Sequence, residues 1–137
     1  MDLCYRFESL SPVPIGEISK RQNIPAKYLE QIMLVLKGAG IIGSKRGAGG
    51  GFFLLKPPDE ILLGDVIGLI EGPIEPIACA KQIHNSTCGE ENQCVFREIW
   101  LNVMDAITGV VDHVTFGDIM RRDKELKEKH AGYTYEI

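Results

Sequence analysis

The sequence predicts a mainly α-helical chain: a winged helix-turn-helix domain with a small β-hairpin wing, followed by a long C-terminal dimerisation helix. Three observations predict this fold. Two amphipathic helical segments are separated by a short turn, and two strand-like runs around a glycine-rich turn come directly after them. Near the C-terminus, apolar residues then recur every three or four positions over about 20 residues.

The helix-turn-helix is predicted from proline and glycine punctuation. One short helix is expected over Pro14–Gln22 and a second over about 26–38. Pro25 separates them, because proline biases the residue before it away from the helical region and is well tolerated at a helix start. Gly38-Ala39-Gly40 is typical of a helix end. The apolar face expected on the second helix consists of Tyr28, Leu29, Ile32, Met33, Val35 and Leu36.

The wing is predicted from the residues that follow. Ile41–Arg46 and Phe52–Lys56 are strand-like, and four of the five residues between them are glycine, which adopts positive φ angles cheaply. A phosphate-binding loop is disfavoured, because a strand-like run follows these glycines where such a loop requires a helix.

The rest of the chain yields two more helices and a tail. A short helix is expected over Leu62–Glu71 and the longest over Val95–Val114. Thr115 and Asp118 fit a capping box and predict a short following helix, whereas the dense charge of residues 121–129 predicts a frayed or disordered tail. The expected organisation is a winged domain at 1–73, a cysteine-containing loop at 74–94, the dimerisation helix and short following helix at 95–120, and a charged tail at 121–137.

Charge is distributed unevenly along the 137 residues. The formal net charge is −4, yet residues 19–56 carry seven Lys or Arg residues and one acidic residue. A solvated face would also be charged, but the placement of these cations on a helix-turn-helix and a wing favours DNA binding. The residues expected to contact DNA are Lys20, Lys27, Tyr28, Glu30, Gln31, Lys45, Arg46 and Gly49.

Each of these residue types suits a different contact with a palindromic double-stranded operator. The lysines suit phosphates, and Arg46 suits a phosphate or the minor groove. Glu30 could accept from cytosine N4, and Gln31 could pair with adenine. Glycines such as Gly49 allow a wing tip to approach the DNA backbone closely.

The apolar stripe of the long helix predicts a homodimer. A helix of this length, placed after an already complete small domain, is expected to bury its apolar face against a second copy, which would bring two helix-turn-helix units onto one two-fold axis. The expected interface residues are Phe96, Ile99, Trp100, Val103, Ile107, Val110 and Val111.

Three cysteines form a candidate metal site. Cys79, Cys88 and Cys94 lie in a polar loop, where burial as core residues is not expected, and no C-x-x-C motif is present. Three thiolates leave a metal or cluster one ligand short. His84 is the local candidate for that ligand; Cys4 or a residue of the other subunit is the distant one.

Several functional classes are excluded or disfavoured. The sequence contains no run of 18 apolar residues, the length that a membrane-spanning helix requires. The N-terminus has neither the basic region nor the apolar core that is typical of a secretory signal. A cytoplasmic location is therefore expected. No acid–base pair, nucleophilic triad or cofactor motif is present, so an enzyme is not expected.

The chain resembles the Rrf-two (Rrf2) family of transcription regulators up to about residue 120. The resemblance is carried by Ile24–Gln31, Arg46–Phe52, Gly64-Asp65-Val66, Glu71-Gly72-Pro73 and the three-cysteine loop. It implies a dimeric winged-helix transcription factor with a long dimerisation helix, in which Glu30 matches the recognition-helix glutamate and Arg46 the wing arginine. Some members carry a histidine three residues after the last cysteine, where this chain has Arg97.

The resemblance also implies a cofactor. In the cluster-binding members, cysteines at the positions of Cys79, Cys88 and Cys94 hold an iron–sulfur cluster, of the 2Fe–2S or 4Fe–4S type. We therefore expect a regulator whose DNA affinity the cluster controls in response to iron, redox state or nitric oxide. The alternatives are a structural zinc on Cys79, His84, Cys88 and Cys94, a thiol switch, and a partner-binding module that does not bind DNA.

Overall fold

The computed structural model describes residues 1–9, 11–74 and 94–132. These residues form a winged helix-turn-helix followed by two long helices, which confirms the predicted fold class. Most of the cysteine loop expected at 74–94 lies outside them. The elements in chain order are α1 (Asp2–Tyr5), α2 (Ile15–Gln22), α3 (Ala26–Gly38), β1 (Ile42–Lys45), β2 (Gly51–Leu54), a 3₁₀ turn (Pro58–Glu60), α4 (Leu63–Glu71), α5 (Val95–Val111) and α6 (Phe116–Gly132).

The turn between α2 and α3 is held by local backbone chemistry. Asn23 ends α2 in the left-handed conformation, with φ at 52°, which asparagine tolerates better than most residues. The Ser19 hydroxyl donates to the Ile24 carbonyl at 2.7 Å and closes the turn. Pro25 precedes the first residue of α3, and Gly40, with φ at 71°, follows its end. The sequence prediction for this helix is therefore confirmed at both ends.

The wing is an antiparallel hairpin that recruits a third segment of chain. Ile42 pairs with Leu54 and Lys45 with Gly51. On the other side of β2, Val13 and Phe52 exchange two backbone hydrogen bonds of 2.8 and 2.9 Å. Gly51 makes this pairing possible, because a Cβ there would lie 2.4 Å from the Val13 carbonyl carbon and oxygen. The hairpin is thereby fixed to the segment that precedes α2.

The core lies between α1, α2, α3 and the hairpin. Its buried residues are Leu3, Cys4, Val13, Ile18, Leu29, Met33, Ile41, Ile42, Leu54 and Ile61. Helix α3 contributes only Leu29 and Met33 as buried side chains. Tyr28 and Val35, expected on the apolar face of this helix, are 51% and 43% exposed. The predicted apolar face of α3 was therefore wider than the buried one, because these two residues lie at its edge and are not covered by the core.

The turn between α5 and α6 is attached to the winged domain. Leu63 N donates to Val114 O at 2.8 Å, and Phe116 N donates to Ile61 O at 2.9 Å. The chain turns at Asp112 and His113 before it reaches this attachment, so α5 ends at Val111 and not at Val114 as expected. No described helix is long and apolar enough to cross a bilayer.

Helix α6 begins as predicted but is much longer than expected. The Thr115 backbone N–H donates to Asp118 Oδ2 at 3.0 Å, and the Asp118 N–H donates to Thr115 Oγ1 at 3.0 Å, so the capping box is confirmed. The expected frayed tail from residue 121 is wrong, because the helix continues to Gly132. Phe116 and Met120 pack against the core.

The charges of the expected tail support the helix instead of breaking it. Arg122 pairs with Glu125 at 2.9 Å, and Lys127 with Asp123 at 2.6 Å, at spacings of three and four residues. Arg121 pairs with Asp59 of the 3₁₀ turn at 2.7 Å, which fixes α6 to the winged domain. Alternating charges at these spacings therefore continue a helix that the core has already started.

Candidate nucleic-acid interface

Helix α3 presents a polar face away from the core. Leu29 and Met33 point inward, while Lys27, Glu30 and Gln31 are exposed. Tyr28, half exposed, lies at the edge of the same face. Lys20, on α2, is exposed as well. All five residues predicted for the helix-turn-helix part of the interface are thus accessible to a partner. Four of the five have long polar side chains.

The wing is tied to α3 by a side-chain contact. Lys37, in the last turn of α3, donates from Nζ to Ser44 Oγ on β1 at 2.7 Å. Lys45 follows at the end of β1, and Arg46 and Gly49 lie in the exposed turn. Gly49 has φ at 75°, a conformation that other residues rarely adopt. The wing residues predicted to contact DNA therefore sit on a hairpin anchored to α3.

The cations of this surface are not neutralised by acidic neighbours. Within residues 1–9, 11–74 and 94–132, none of the four predicted DNA-contacting cations forms an ion pair: Lys20, Lys27, Lys45 and Arg46. Elsewhere in the described residues, Arg6, Arg21, Arg121, Arg122 and Lys127 form ion pairs, whereas Lys56, Lys124 and Lys129 do not. Glu17 pairs with both Arg6 and Arg21, and Asp2 lies 3.5 Å from Arg21. Positive charge is therefore left available at α3 and the wing, where a polyanion would contact the domain.

Helix α5 contacts α4, yet the described chain leaves its apolar face largely exposed. None of its 17 residues is buried. Phe96 is 72% exposed and Val110 is 62% exposed, at opposite ends of the same face. Ile99 and Trp100 are also exposed, and Val103, Ile107 and Val111 are partly exposed. The seven residues predicted for a dimer interface thus form one continuous stripe, and Leu101 and Met104 lie beside it.

Of the residues predicted to hold a metal or cluster from the cysteine loop, the structure describes only Cys94. Cys79, His84 and Cys88 lie outside the described residues. Cys94 is the N-cap of α5 and is partly exposed. No group of three or more potential metal ligands occurs in the part of the chain that the structure describes.

Cys4 does not fit the role of the missing ligand. It is buried in the winged core, and burial raises the pKa of its thiol above the usual value. A thiolate, the form that binds metal, is disfavoured in this apolar position. The geometry therefore does not support Cys4 as the distant fourth ligand.

Leu34 was not among the residues expected at this surface. It projects from the middle of α3 on the exposed side and is 67% exposed. Its place outside the periodic apolar face was the available indication in the sequence, because an apolar residue there has no core to enter.

Comparisons with known proteins agree with this architecture. Residues 1–122 match the family described as "Rrf2: Iron-dependent Transcriptional regulator". The chain is 30% identical over 136 residues to the HTH-type transcriptional regulator IscR of Escherichia coli, covering 99% of this chain and 82% of the relative.

Solved structures show the same likeness. The structure of T. potens IscR matches with a TM-score of 0.71 and 32% identity, over 91% of this chain and 80% of that one. The global cysteine regulator CymR of B. subtilis matches with a TM-score of 0.69 and 32% identity, over 86% of this chain and 84% of that one. These relatives are regulators and not enzymes, which confirms the expectation that the chain is not an enzyme.

Proposed function

Because the chain belongs to the Rrf2 family of transcriptional regulators, we propose that it is a homodimeric DNA-binding regulator whose affinity for its operator is controlled by an iron–sulfur cluster. One observation carries the DNA-binding part of this proposal. The cations of α3 and the wing form no ion pair among the described residues, and they lie together on a helix-turn-helix and the hairpin that follows it, whereas Lys124 and Lys129, also unpaired, lie on α6. A surface of free cations on a helix-turn-helix favours contact with phosphates.

We assign phosphate contacts and base contacts to different residues according to where each side chain lies. Lys20, Lys27 and Lys45 contact phosphates and set the position of the protein on the duplex. Glu30 and Gln31 are exposed on α3 and read base edges in the major groove, with Tyr28 at the edge of the contact.

The wing completes the contact. Arg46 enters the minor groove or binds a phosphate, and Gly49 lets the turn approach the backbone. Since Glu30 repels phosphates, it contributes discrimination between sequences and not affinity.

A homodimer would supply a second copy of this DNA-contacting surface. The apolar stripe of α5 extends for about 21 Å from Phe96 to Val110, at 1.5 Å per residue. Pairing of two such stripes removes them from water and places two copies of α3 around one two-fold axis. The operator is then a palindrome whose half-sites match the two copies.

The cluster is proposed on the chemistry of its donors. Cys79, Cys88 and Cys94 would hold it, with His84 as the candidate fourth ligand. Cys94 fits such a role, because it is partly exposed and its side chain makes no capping hydrogen bond to α5, so its sulfur is available to a metal. When bound, the cluster supplies an iron centre that responds to oxidants or to the supply of iron.

The position of Cys94 connects that site to the dimer. Cys94 directly precedes the first residue of α5, so any shift of its side chain acts on the start of the dimerisation helix. At its other end, α5 joins the winged domain through the backbone bonds of Leu63 and Phe116. A displacement of α5 would thus change the spacing of the two recognition helices and bias the dimer toward or away from DNA-competent states.

The second candidate is the same dimer without a cluster, in which the loop cysteines hold a structural zinc or act as a thiol switch. The likeness to CymR of Staphylococcus aureus, of which an oxidized form has been solved, favours the thiol switch, because its TM-score of 0.68 and 30% identity are close to those of T. potens IscR.

The two candidates separate on protein purified without oxygen and assayed for absorbance, iron, sulfide and zinc. The cluster predicts a visible band with about two to four irons and matching sulfide per chain. Cys88→Ser should abolish the band. Cys4→Ala, the matched change at a cysteine outside the loop, should retain it. A colourless protein with about one zinc would replace the cluster with a structural metal site, and a colourless, metal-free protein would favour the thiol switch.

A further inference from the structure

An exposed leucine lies in the middle of the proposed DNA-contacting face. Leu34 is 67% exposed, more than any other large apolar residue of α3. It follows Lys27 by seven residues and Gln31 by three, so the three side chains lie along one line of the helix. Gly38, one turn further on, has no side chain that could cover it. The leucine is therefore presented to whatever the polar face of α3 contacts.

The surroundings of Leu34 favour a polyanion with a local apolar feature. Lys27 lies two turns before Leu34 on the same line, and Lys37 lies one turn after it on the adjoining side. Glu30 is the one acidic residue of α3, one turn before Leu34. A second copy of this chain is accommodated by α5, which offers a much larger apolar stripe. In DNA, the apolar group accessible to such a helix is the 5-methyl group of thymine in the major groove.

On the basis of the DNA-binding function proposed above, we propose that Leu34 is a specificity-determining residue that contacts a thymine 5-methyl group. The rise of the helix puts Leu34 about 4.5 Å beyond Gln31 along its axis. Base pairs are spaced by about 3.4 Å, so the thymine lies one or two base pairs from the base that Gln31 reads. Recognition of adenine by Gln31 and of thymine by Leu34 would make this part of each half-site A·T-rich.

The expected effect can be measured by removing the methyl group alone. Operator DNA is first enriched from a library of random duplexes with the full-length protein. Each thymine of the enriched site is then replaced by deoxyuridine, which keeps all hydrogen bonds and lacks only the methyl. Burial of one methyl group predicts a loss of affinity of about fourfold at one thymine in each half-site.

Three variants connect that loss to the leucine. Leu34→Ala and Leu34→Ser should bind the thymine and deoxyuridine operators equally, with the affinity that the unaltered protein has for the deoxyuridine operator. Leu55→Ser, a matched change at a leucine that is 54% exposed and follows the wing strand, should retain the fourfold difference. Circular dichroism should show the same fold and unfolding temperature for Leu34→Ala as for the unaltered protein, because the side chain is exposed.

Different results would overturn the contact of Leu34 with thymine and the DNA-binding function itself. If the protein binds a specific operator but no deoxyuridine weakens it, or if the loss persists in Leu34→Ala, Leu34 does not read thymine. If Leu34→Ala instead changes the oligomeric state, this face contacts protein and not DNA. If no duplex is enriched, the DNA-binding function itself is wrong, and this inference is overturned with it.

Discussion

Introducing a charge at the centre of the α5 stripe should break the proposed dimer. Val103 lies seven residues from both Phe96 and Val110, the two strongly exposed ends of the stripe. Any two-fold pairing that buries both ends must also bury Val103. In Val103→Glu, each protomer therefore brings one unpaired carboxylate into the interface.

The size of the effect follows from the cost of burying those charges. An uncompensated buried charge costs about 3 kcal/mol, and a symmetric dimer receives two. The total of about 6 kcal/mol raises the dimer dissociation constant by about 10⁴-fold, at about 1.4 kcal/mol per tenfold change. A dimer that dissociates in the nanomolar range would thus be monomeric at micromolar concentration.

Sedimentation velocity over a range of concentrations measures this change. The matched control is Asn102→Glu, because Asn102 is exposed on the polar side of the same helix and the change adds the same charge. We expect Val103→Glu to sediment as a monomer with unchanged helical content and Asn102→Glu as a dimer. A dimeric Val103→Glu, or equal weakening by both substitutions, would refute the assignment of the interface.

Three further predictions concern the wing, the capping box and the charge of the wing tip. Gly51→Ala should displace the Val13 segment and break its two backbone hydrogen bonds, which costs at least about 2 kcal/mol, or roughly 5–10 °C in a thermal melt; Gly16→Ala, where a Cβ meets nothing within 4 Å, should not lower the melting temperature. The backbone N–H of Thr115, its hydroxyl group and a nearby arginine lower the pKa of Asp118 from 3.8 to about 2. The carboxylate therefore stabilises the fold above pH 4 and loses this effect as the pH falls toward 2, so the melting temperatures of the unaltered protein and Asp118→Asn should converge over that interval; a constant difference would contradict the capping role. Arg46→Ala should reduce the slope of log affinity against log salt by about 1 in a DNA titration, whereas substitution of an ion-paired arginine of α6 should leave the slope unchanged.

Local rules predicted the elements whose ends depend on nearby residues. Pro25 and the glycines after position 37 set the bounds of α3, and the Thr115–Asp118 box set the start of α6, because each acts within a few residues of itself. The length of α6 was not predicted. The packing of Met120 against the core and the contact of Arg121 with Asp59, 62 residues away, could not be inferred from nearby residues. The ion pairs that continue the helix beyond them lie at spacings of three and four residues, which the sequence analysis did not use.

Some features of the candidate site could likewise be predicted from the sequence, and others could not. The cations and polar residues of α3 and the wing were identifiable because their types and positions in a helix-turn-helix have a direct meaning. The burial of Cys4 was not identifiable, since it depends on how α1 packs into the winged core. The sequence analysis left Leu34 outside the apolar face of α3, but it did not name it as a contact residue, because the predicted contacts were chosen for charge and hydrogen bonding.

We propose that this chain binds a specific DNA sequence with an affinity that depends on its cluster. The most direct test is a fluorescence anisotropy titration of enriched operator DNA with protein purified without oxygen, before and after removal of iron by a chelator, at a fixed salt concentration. We expect specific binding that changes by at least about tenfold when the cluster is removed, and no such change in Cys88→Ser. Equal affinity before and after removal of iron would contradict the account, and the absence of any specific binding would contradict its premise.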